Sequence, residues 1–169
     1  MLEVGDATYT RRYGAESVER SEILHLSDSE NATIVGDLAS SGTLPAEAFD
    51  CVICTQTLQF IFDLNAAIDS LAAALRPGGV LLATVPGISQ VSRYDMERWG
   101  DYWRFTNLAI ERLFESQFRA SDLEIRSHGN VLTALGFLQG LAVSELPPGS
   151  FLVEDPDYQV VVTVRAVRA

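Results

Sequence analysis

Three short stretches of this sequence bring together residue types that could do chemistry. The first is Glu3-Val4-Gly5-Asp6, which reads as the end of a strand running into a ligand-binding loop. A glycine there lets the backbone approach a ligand closely, although the further glycines that such a loop usually repeats are missing. The second is Cys51-Val52-Ile53-Cys54, a spacing used by redox pairs and zinc sites. The third places Arg93, Tyr94, Trp99, Tyr102, Trp103 and Arg104 within GISQVSRYDMERWGDYWRFT. Aromatic walls with a few polar groups are what ligand pockets are made of. The competing reading is that Tyr102, Trp103 and Phe105 plug the core ahead of the next helix.

The cysteine pair does not survive as a metal site. It lies in the apolar run FDCVICTQTL, which reads as a buried strand, and residues three apart on a strand point to opposite faces. No second Cys or His cluster accompanies it, so both thiols are read as core packing and no metal is expected. The only two histidines, His25 and His128, are the candidates for general acid–base chemistry, against the structural part that a lone histidine beside a strand more often has.

Positioning these residues takes strands alternating with helices. Apolar runs at Leu2–Val4, Ile23–Leu26, Thr33–Val35, Cys51–Cys54 and Val80–Val85 are separated by polar turns. Near-continuous apolar strands belong to a parallel sheet covered on both faces. Between the fourth and fifth runs, DLNAAIDSLAAALRPGG has helical spacing, an acid at its start and Arg76-Pro77-Gly78-Gly79 as its stop. A second helix is predicted over about Asn107 to Phe118, burying Leu108, Ile110, Leu113, Phe114 and Phe118. Then come DLEIRS, the apolar helical stretch VLTALGFLQGLAVSEL and the strand YQVVVTVRAV, a late pair that would finish the sheet with an antiparallel edge.

At 169 residues and 47% hydrophobic, with no composition break or repeat, the chain is read as one domain over residues 1–169. Its net charge of −11 repels nucleic acid and the anionic face of a membrane, which leaves small molecules and proteins as partners. No apolar run approaches the roughly 20 residues needed to cross a bilayer, and the first residues lack a basic region followed by an apolar one. A cytoplasmic protein is expected.

The succession LEVGD, ATIVGDLA, FDCVICTQTLQFIFD, ALRPGGVLLATVPG and DYWRFT resembles the class I S-adenosylmethionine-dependent methyltransferases, especially those with a methyltransferase type 11-like domain. The resemblance covers nearly the whole chain and is most specific in the fourth-strand and Arg-Pro-Gly-Gly segments. It implies a Rossmann-like α/β fold, with seven mostly parallel strands in the order 3-2-1-4-5-7-6 and helices on both faces. S-adenosylmethionine would bind at the carboxyl ends of strands one to four.

By the same resemblance, Glu3, Gly5 and Asp6 match the first motif, with the next family glycine falling near Ala7. The acid that usually holds the ribose hydroxyls is replaced by Leu26 and Ser27, and Asp28 stands one step late. Asp37 matches the acceptor for the adenine amino group, with Leu38 packing on the ring, although Gly36-Asp37 also suits a plain turn. Thr55 and Gln56 fall beside the sulfonium, where Thr55 could equally cap a helix. Where many relatives carry a histidine this chain has Gln59-Phe60, so a general base is absent there. Acceptor binding falls to the segment from Arg93 to Arg104.

The function implied is methyl transfer to a small molecule, a sugar or secondary-metabolite hydroxyl first. The alternative is a methyltransferase-like protein that no longer methylates and serves as a partner subunit or performs other chemistry on the same fold. Asp6 to Ser21 leaves room for only a stunted first helix, which favours the alternative. Relatives usually place one or two helices ahead of the strand that here is Met1 to Val4. The expectation is an apolar patch beside Gly5 and Tyr9 that a second copy, forming a homodimer, or a different protein covers.

Overall fold

The seven strands are β1 (Leu2–Val4), β2 (Glu22–His25), β3 (Ile34–Val35), β4 (Phe49–Thr55), β5 (Leu75–Pro86), β6 (Leu123–His128) and β7 (Val161–Val167) in a computed structural model that describes residues 1–169. They form one sheet in the order β3-β2-β1-β4-β5-β7-β6. β1 to β5 pair in parallel, and β7 runs antiparallel to both β5 and β6. This is the order and polarity that the resemblance implies.

Alternation along the strands decides what each face meets. Leu2, Val52, Cys54, Leu81, Ala83, Val164 and Ala166 share one face through the register and are buried. Against that face lie helices α1 (Leu64–Ala74) and α3 (Asn107–Phe114), which bury Ile68, Leu71, Ile110 and Phe114 completely. Each such side chain stabilises the fold by roughly 1.5–3 kcal/mol relative to leaving it in water. Cys51 belongs to the opposite face and is only partly covered, so the two thiols do point apart.

Helix boundaries differ from the sequence reading where local chemistry intervenes. α1 begins at Asp63, whose side chain accepts the Ala66 amide at 3.1 Å, and ends at Ala74. Proline cannot continue a helix, so Arg76-Pro77-Gly78-Gly79 stands within β5, at the register shift opposite Phe49 and Cys51. α3 stops at Phe114, yet Phe118 stays buried against it with the two rings 6.1 Å apart. The stretch read as helical through Leu146 is broken into α4 (Val131–Leu138) and a 3₁₀ turn at Val143–Glu145, with Gly140 at a positive φ between them. α4 turns its small residues Thr133, Ala134 and Gly136 inward and leaves Leu135 and Leu138 half exposed.

Two further elements bear on the site. Arg93–Arg98, where the sequence shows no helical periodicity, is a short helix, α2, capped by the Ser92 side chain. Between β1 and β2 the chain has only a π-helical turn at Thr10–Gly14 and a 3₁₀ turn at Ala15–Ser17 in place of a full helix. No helix among the described residues is long and apolar enough to cross a membrane.

Candidate cofactor and acceptor site

Gly5 follows β1 at φ +96°, a conformation that side chains rarely adopt, and its amide donates to the Leu24 carbonyl at 2.9 Å. A Cβ placed there would meet nothing within 4 Å, so this stretch of backbone is bare toward the space above it. The loop beyond is folded back by Glu3. Its buried carboxylate accepts the amides of Tyr9 at 2.9 Å and Thr10 at 2.8 Å, one on each oxygen. Asp6 accepts the Thr8 amide at 2.7 Å, and hydrogen bonding from Thr8 holds its carboxyl below the usual carboxylate range.

A cavity of about 820 Å³ opens over the carboxyl ends of β3, β2, β1 and β4. Glu3, Gly5 and Asp6 line it from β1, Asp37 and Leu38 from beyond β3, and Thr55 and Gln56 from the end of β4. Asp37 accepts the Ala39 amide at 2.8 Å in a turn of its own making, and Leu38 is buried beside it. Gln56 sits at φ +48°, held there by its amide on the Thr84 carbonyl at 2.8 Å and its side chain on the Thr84 hydroxyl at 3.3 Å. A non-glycine residue in that region costs on the order of 1–3 kcal/mol and persists where the surroundings over-determine it, often at a ligand site. The neighbouring Cys54 thiol is fully buried, which pushes its pKa up to about 12 and leaves it inert.

Past β4 the cavity continues between two aromatic walls. Phe60 lies 5.8 Å from Trp99 and Phe62 lies 5.4 Å from Tyr102, centroid to centroid, and all four rings line the space. The Tyr102 amide donates to the Gln59 carbonyl at 2.9 Å, which ties the segment after β5 to the one after β4. Asp63 completes this end.

Of the residues singled out from sequence, the structure brings Glu3, Gly5, Asp6, Asp37, Leu38, Thr55, Gln56, Trp99 and Tyr102 together around one space, with His25 at the end of β2. Six others lie outside it. Asp28 is exposed beyond β2, so the cavity has no carboxylate at the end of that strand, where the resemblance implies one. Trp103 donates its indole N–H to the Ile61 carbonyl at 3.0 Å and stacks behind Phe62 at 5.7 Å, a supporting position. Arg104 is engaged with Asp101 at 2.6 Å, and through the shared hydrogen bonds Asp101 pushes the guanidinium's pKa up while Arg104 holds the Asp101 carboxyl low. Arg93 and Tyr94 are exposed on α2, where Tyr94 carries the Arg98 guanidinium over its ring. His128 bonds Glu154 at 2.7 Å and Thr163 at 3.1 Å across the far edge of the sheet.

Tyr9 lines the cavity beside Gly5, and sequence reasoning missed Phe60, Phe62 and Asp63 as lining residues. The available signal was QFIFD itself, where two aromatics flank a single residue directly after a strand end, the place where an open α/β sheet binds its ligand. Among the described residues no group of three or more His, Cys, Asp or Glu side chains could hold a metal ion.

S-adenosylmethionine fits this space in three respects and departs from it in one. The volume lies in the roughly 300–1,000 Å³ range of ligand sites. The bare Gly5 backbone admits close approach, and Asp37 with Leu38 offers an acceptor beside an apolar surface. The end of β2 supplies His25 and Leu26 in place of an acid.

With that geometry in place, the comparisons with known proteins are specific. The methyltransferase domain model matches residues 8–128, and the chain belongs to that family of S-adenosylmethionine-dependent class I methyltransferases. Three solved structures show the same fold. A Haemonchus contortus phosphoethanolamine N-methyltransferase with phosphomonomethylethanolamine and S-adenosylhomocysteine is 19% identical at a TM-score of 0.64, over 99% of this chain and 48% of that one. A methyltransferase from Archaeoglobus fulgidus is 12% identical at 0.63, over 99% and 85%. The complex of the Haloferax volcanii Trm112 methyltransferase activator with a methyltransferase gives 16% at 0.60, over 99% and 82%. No curated protein resembles the chain closely enough in sequence to count as a match.

Proposed function

We propose that this protein transfers a methyl group from S-adenosylmethionine to a small-molecule acceptor in the cytosol. The observation that carries the reading is the continuity of one cavity from the bare backbone at Gly5, past Gln56 at the end of β4, to the aromatic walls at Phe60, Phe62, Trp99 and Tyr102. When bound, the cofactor supplies an electrophilic methyl on a sulfonium. Asp37 and Leu38 would hold its adenine end, the Gly5 backbone its amino-acid end, and Thr55 with Gln56 the middle, so that the methyl faces the aromatic walls. Methyl transfer by in-line displacement rests largely on such positioning. A hydroxyl acceptor, a sugar included, rests on the resemblance alone, because the residue before Phe60 is an amide, Gln59, and the carboxylate at this end, Asp63, is a weak base for a hydroxyl.

A second reading keeps the fold without methyl transfer, as a partner subunit or with other chemistry. The position of Asp28 outside the cavity favours it. Under either reading the rim formed by Tyr9, Leu26 and Phe62 is exposed, and a second copy or a different protein would cover it.

Calorimetry with S-adenosylmethionine and S-adenosylhomocysteine decides between the readings. Binding is expected for the native chain and lost in Gly5→Val, whose side chain would fill the bare face and strain the positive φ. No binding, or unchanged affinity in Gly5→Val, would remove the cofactor assignment. Light scattering after size exclusion on the same samples reports whether a dimer accompanies binding.

A further inference from the structure

We propose that the acceptor end of this cavity selects a small amine, positively charged in solution and free of phosphate and carboxylate, held by Phe62, Trp99 and Tyr102 with Asp63 as the counter-charge. The transfer step rests on the methyltransferase reading above; the binding preference does not.

Charge comes first. Every ionised side chain that lines the cavity is a carboxylate: Glu3, Asp6, Asp37 and Asp63. The chain contains no lysine, and no arginine is among the lining residues. The arginines nearest in sequence to the aromatic wall are committed elsewhere, Arg98 to the Tyr94 carbonyl at 2.9 Å and Arg104 to Asp101. A cleft lined by one sign of charge concentrates the opposite sign and repels its own. Phosphorylated or carboxylated acceptors would find nothing to pair with.

The four carboxylates are not equivalent. Glu3 has both oxygens on backbone amides, Asp6 ties a turn after β1, and Asp37 ties one beyond β3 at the edge of the sheet. Asp63 is the acid of the aromatic end. It caps α1 with one oxygen only, accepting the Ala66 amide.

The aromatic rings supply the second element. Aromatic faces attract a cation that sits within about 6 Å of the centroid, Trp most strongly. Phe62 and Tyr102 meet edge to face at 5.4 Å, and Phe60 is tilted against Trp99 at 5.8 Å. Phe62, Trp99 and Tyr102 are all exposed, so their surfaces remain free for a ligand.

Proton inventory supplies the third. A hydroxyl must lose its proton as it attacks, which takes a base beside the acceptor. The one carboxylate at this end, Asp63, is a weak base matched to an ammonium rather than to a hydroxyl, and Gln59 is a buried amide whose Nε2 is spent on the Gln56 carbonyl at 2.8 Å. The cavity's imidazole, His25, lies at the end of β2, with β1 between it and β4. An ammonium, with a pKa of roughly 10, sheds its proton to water at an open mouth before reaction. The nitrogen lone pair then forms the new N–C bond while the C–S bond breaks. Its electron pair stays on sulfur as a neutral thioether, and the positive charge passes to the methylated nitrogen unless a further proton leaves to water.

The test is binding to the whole chain, read by fluorescence of Trp99 and Trp103 and by calorimetry, with three probes: choline, its neutral carbon isostere 3,3-dimethyl-1-butanol, and phosphocholine. Choline is expected to bind at least tenfold more tightly than the isostere and no less tightly than phosphocholine. The preference should fall to within about threefold in Asp63→Asn, which keeps a competent helix cap, and in Tyr102→Leu. An isostere that matches choline, a phosphocholine that exceeds it, absence of binding by all three, or a preference untouched in both variants would overturn the proposal. S-adenosylhomocysteine binding is measured separately. A chain that selects choline without binding S-adenosylhomocysteine loses the methyl-transfer reading and keeps this one; the reverse result does the opposite.

Discussion

The Thr10 amide donates to Glu3 Oε2 at 2.8 Å, and that carboxylate is only 2% exposed, so the loop after β1 is shaped by a buried acid whose two oxygens both hold backbone amides. The Tyr9 amide occupies the other oxygen. An acid matched to the cofactor motif thus works one step removed. It fixes where Gly5 to Tyr9 run, and these residues line the cavity.

Glu3→Ala should therefore act on both fold and site. It strands two amides, and loss of a buried charged acceptor costs about 2–3 kcal/mol. We expect a lower denaturation midpoint and at least a tenfold weaker affinity for S-adenosylhomocysteine, with Glu3→Gln in between. A Glu3→Ala chain that melts and binds like the native protein would show that the loop holds its shape without the carboxylate.

The sheet was legible because β1, β4 and β5 are near-continuous apolar runs and their turns break the pattern cleanly, although one face of β4 and β5 is only partly covered, with Leu82 39% exposed. α2 was not, because its six residues bury nothing and leave no apolar stripe; its only signal is the Ser92 cap. Register explains the site in the same way. Thr55 and Gln56 reach the cavity because they end a long strand, whereas Asp28 does not line it because β2 ends at His25. Phe60 and Phe62 were hidden by their own hydrophobicity, which reads as core until a cavity is seen beside them.

Trp99 and Trp103 should separate in their effects. Trp103 is half-buried, hydrogen-bonded to Ile61 and stacked behind Phe62, so Trp103→Ala is expected to cost about 3 kcal/mol, near the low end for large aromatic deletions. Trp99 lines the cavity at 39% exposure, and Trp99→Ala should change stability by less than about 1 kcal/mol. It should also raise the acceptor's KM. Urea denaturation of both variants checks the contrast, and equal costs would contradict the division between wall and support.

Asp101 makes the acceptor segment acid-sensitive. Hydrogen bonds from Arg104, and the Ser92 amide at 3.0 Å, hold its carboxyl below the ordinary value of 3.8. Because the folded value is depressed, this stabilisation is fully present above the unfolded value and is lost as pH falls through the folded one. Below about pH 4 the segment from Ser92 to Arg104 should loosen, seen as a change in tryptophan emission. In Asp101→Asn that acid-dependent change should be absent, and the loosened spectrum should already be present at neutral pH. A native spectrum for the variant across the range would exclude Asp101 as the anchor.

α4 is built with its small residues against the body and its large ones outward, which makes an unusual mutational prediction. Leu135 and Leu138 are 53% and 51% exposed, whereas Ala134 is 5% exposed. A leucine in a helix ordinarily costs about 2–5 kcal/mol to truncate because it is buried. Here Leu135→Gln and Leu138→Gln should each shift stability by no more than about 0.5 kcal/mol, since water already wets both side chains. Ala134→Leu should instead cost about 1–3 kcal/mol by forcing bulk into a filled interface. Thermal melts give the comparison, and binding of the dye ANS gives an independent readout. The exposed apolar face should bind dye in the native chain, and the double glutamine variant should bind less. If the glutamine variants lose several kcal/mol while Ala134→Leu is silent, the helix faces the other way.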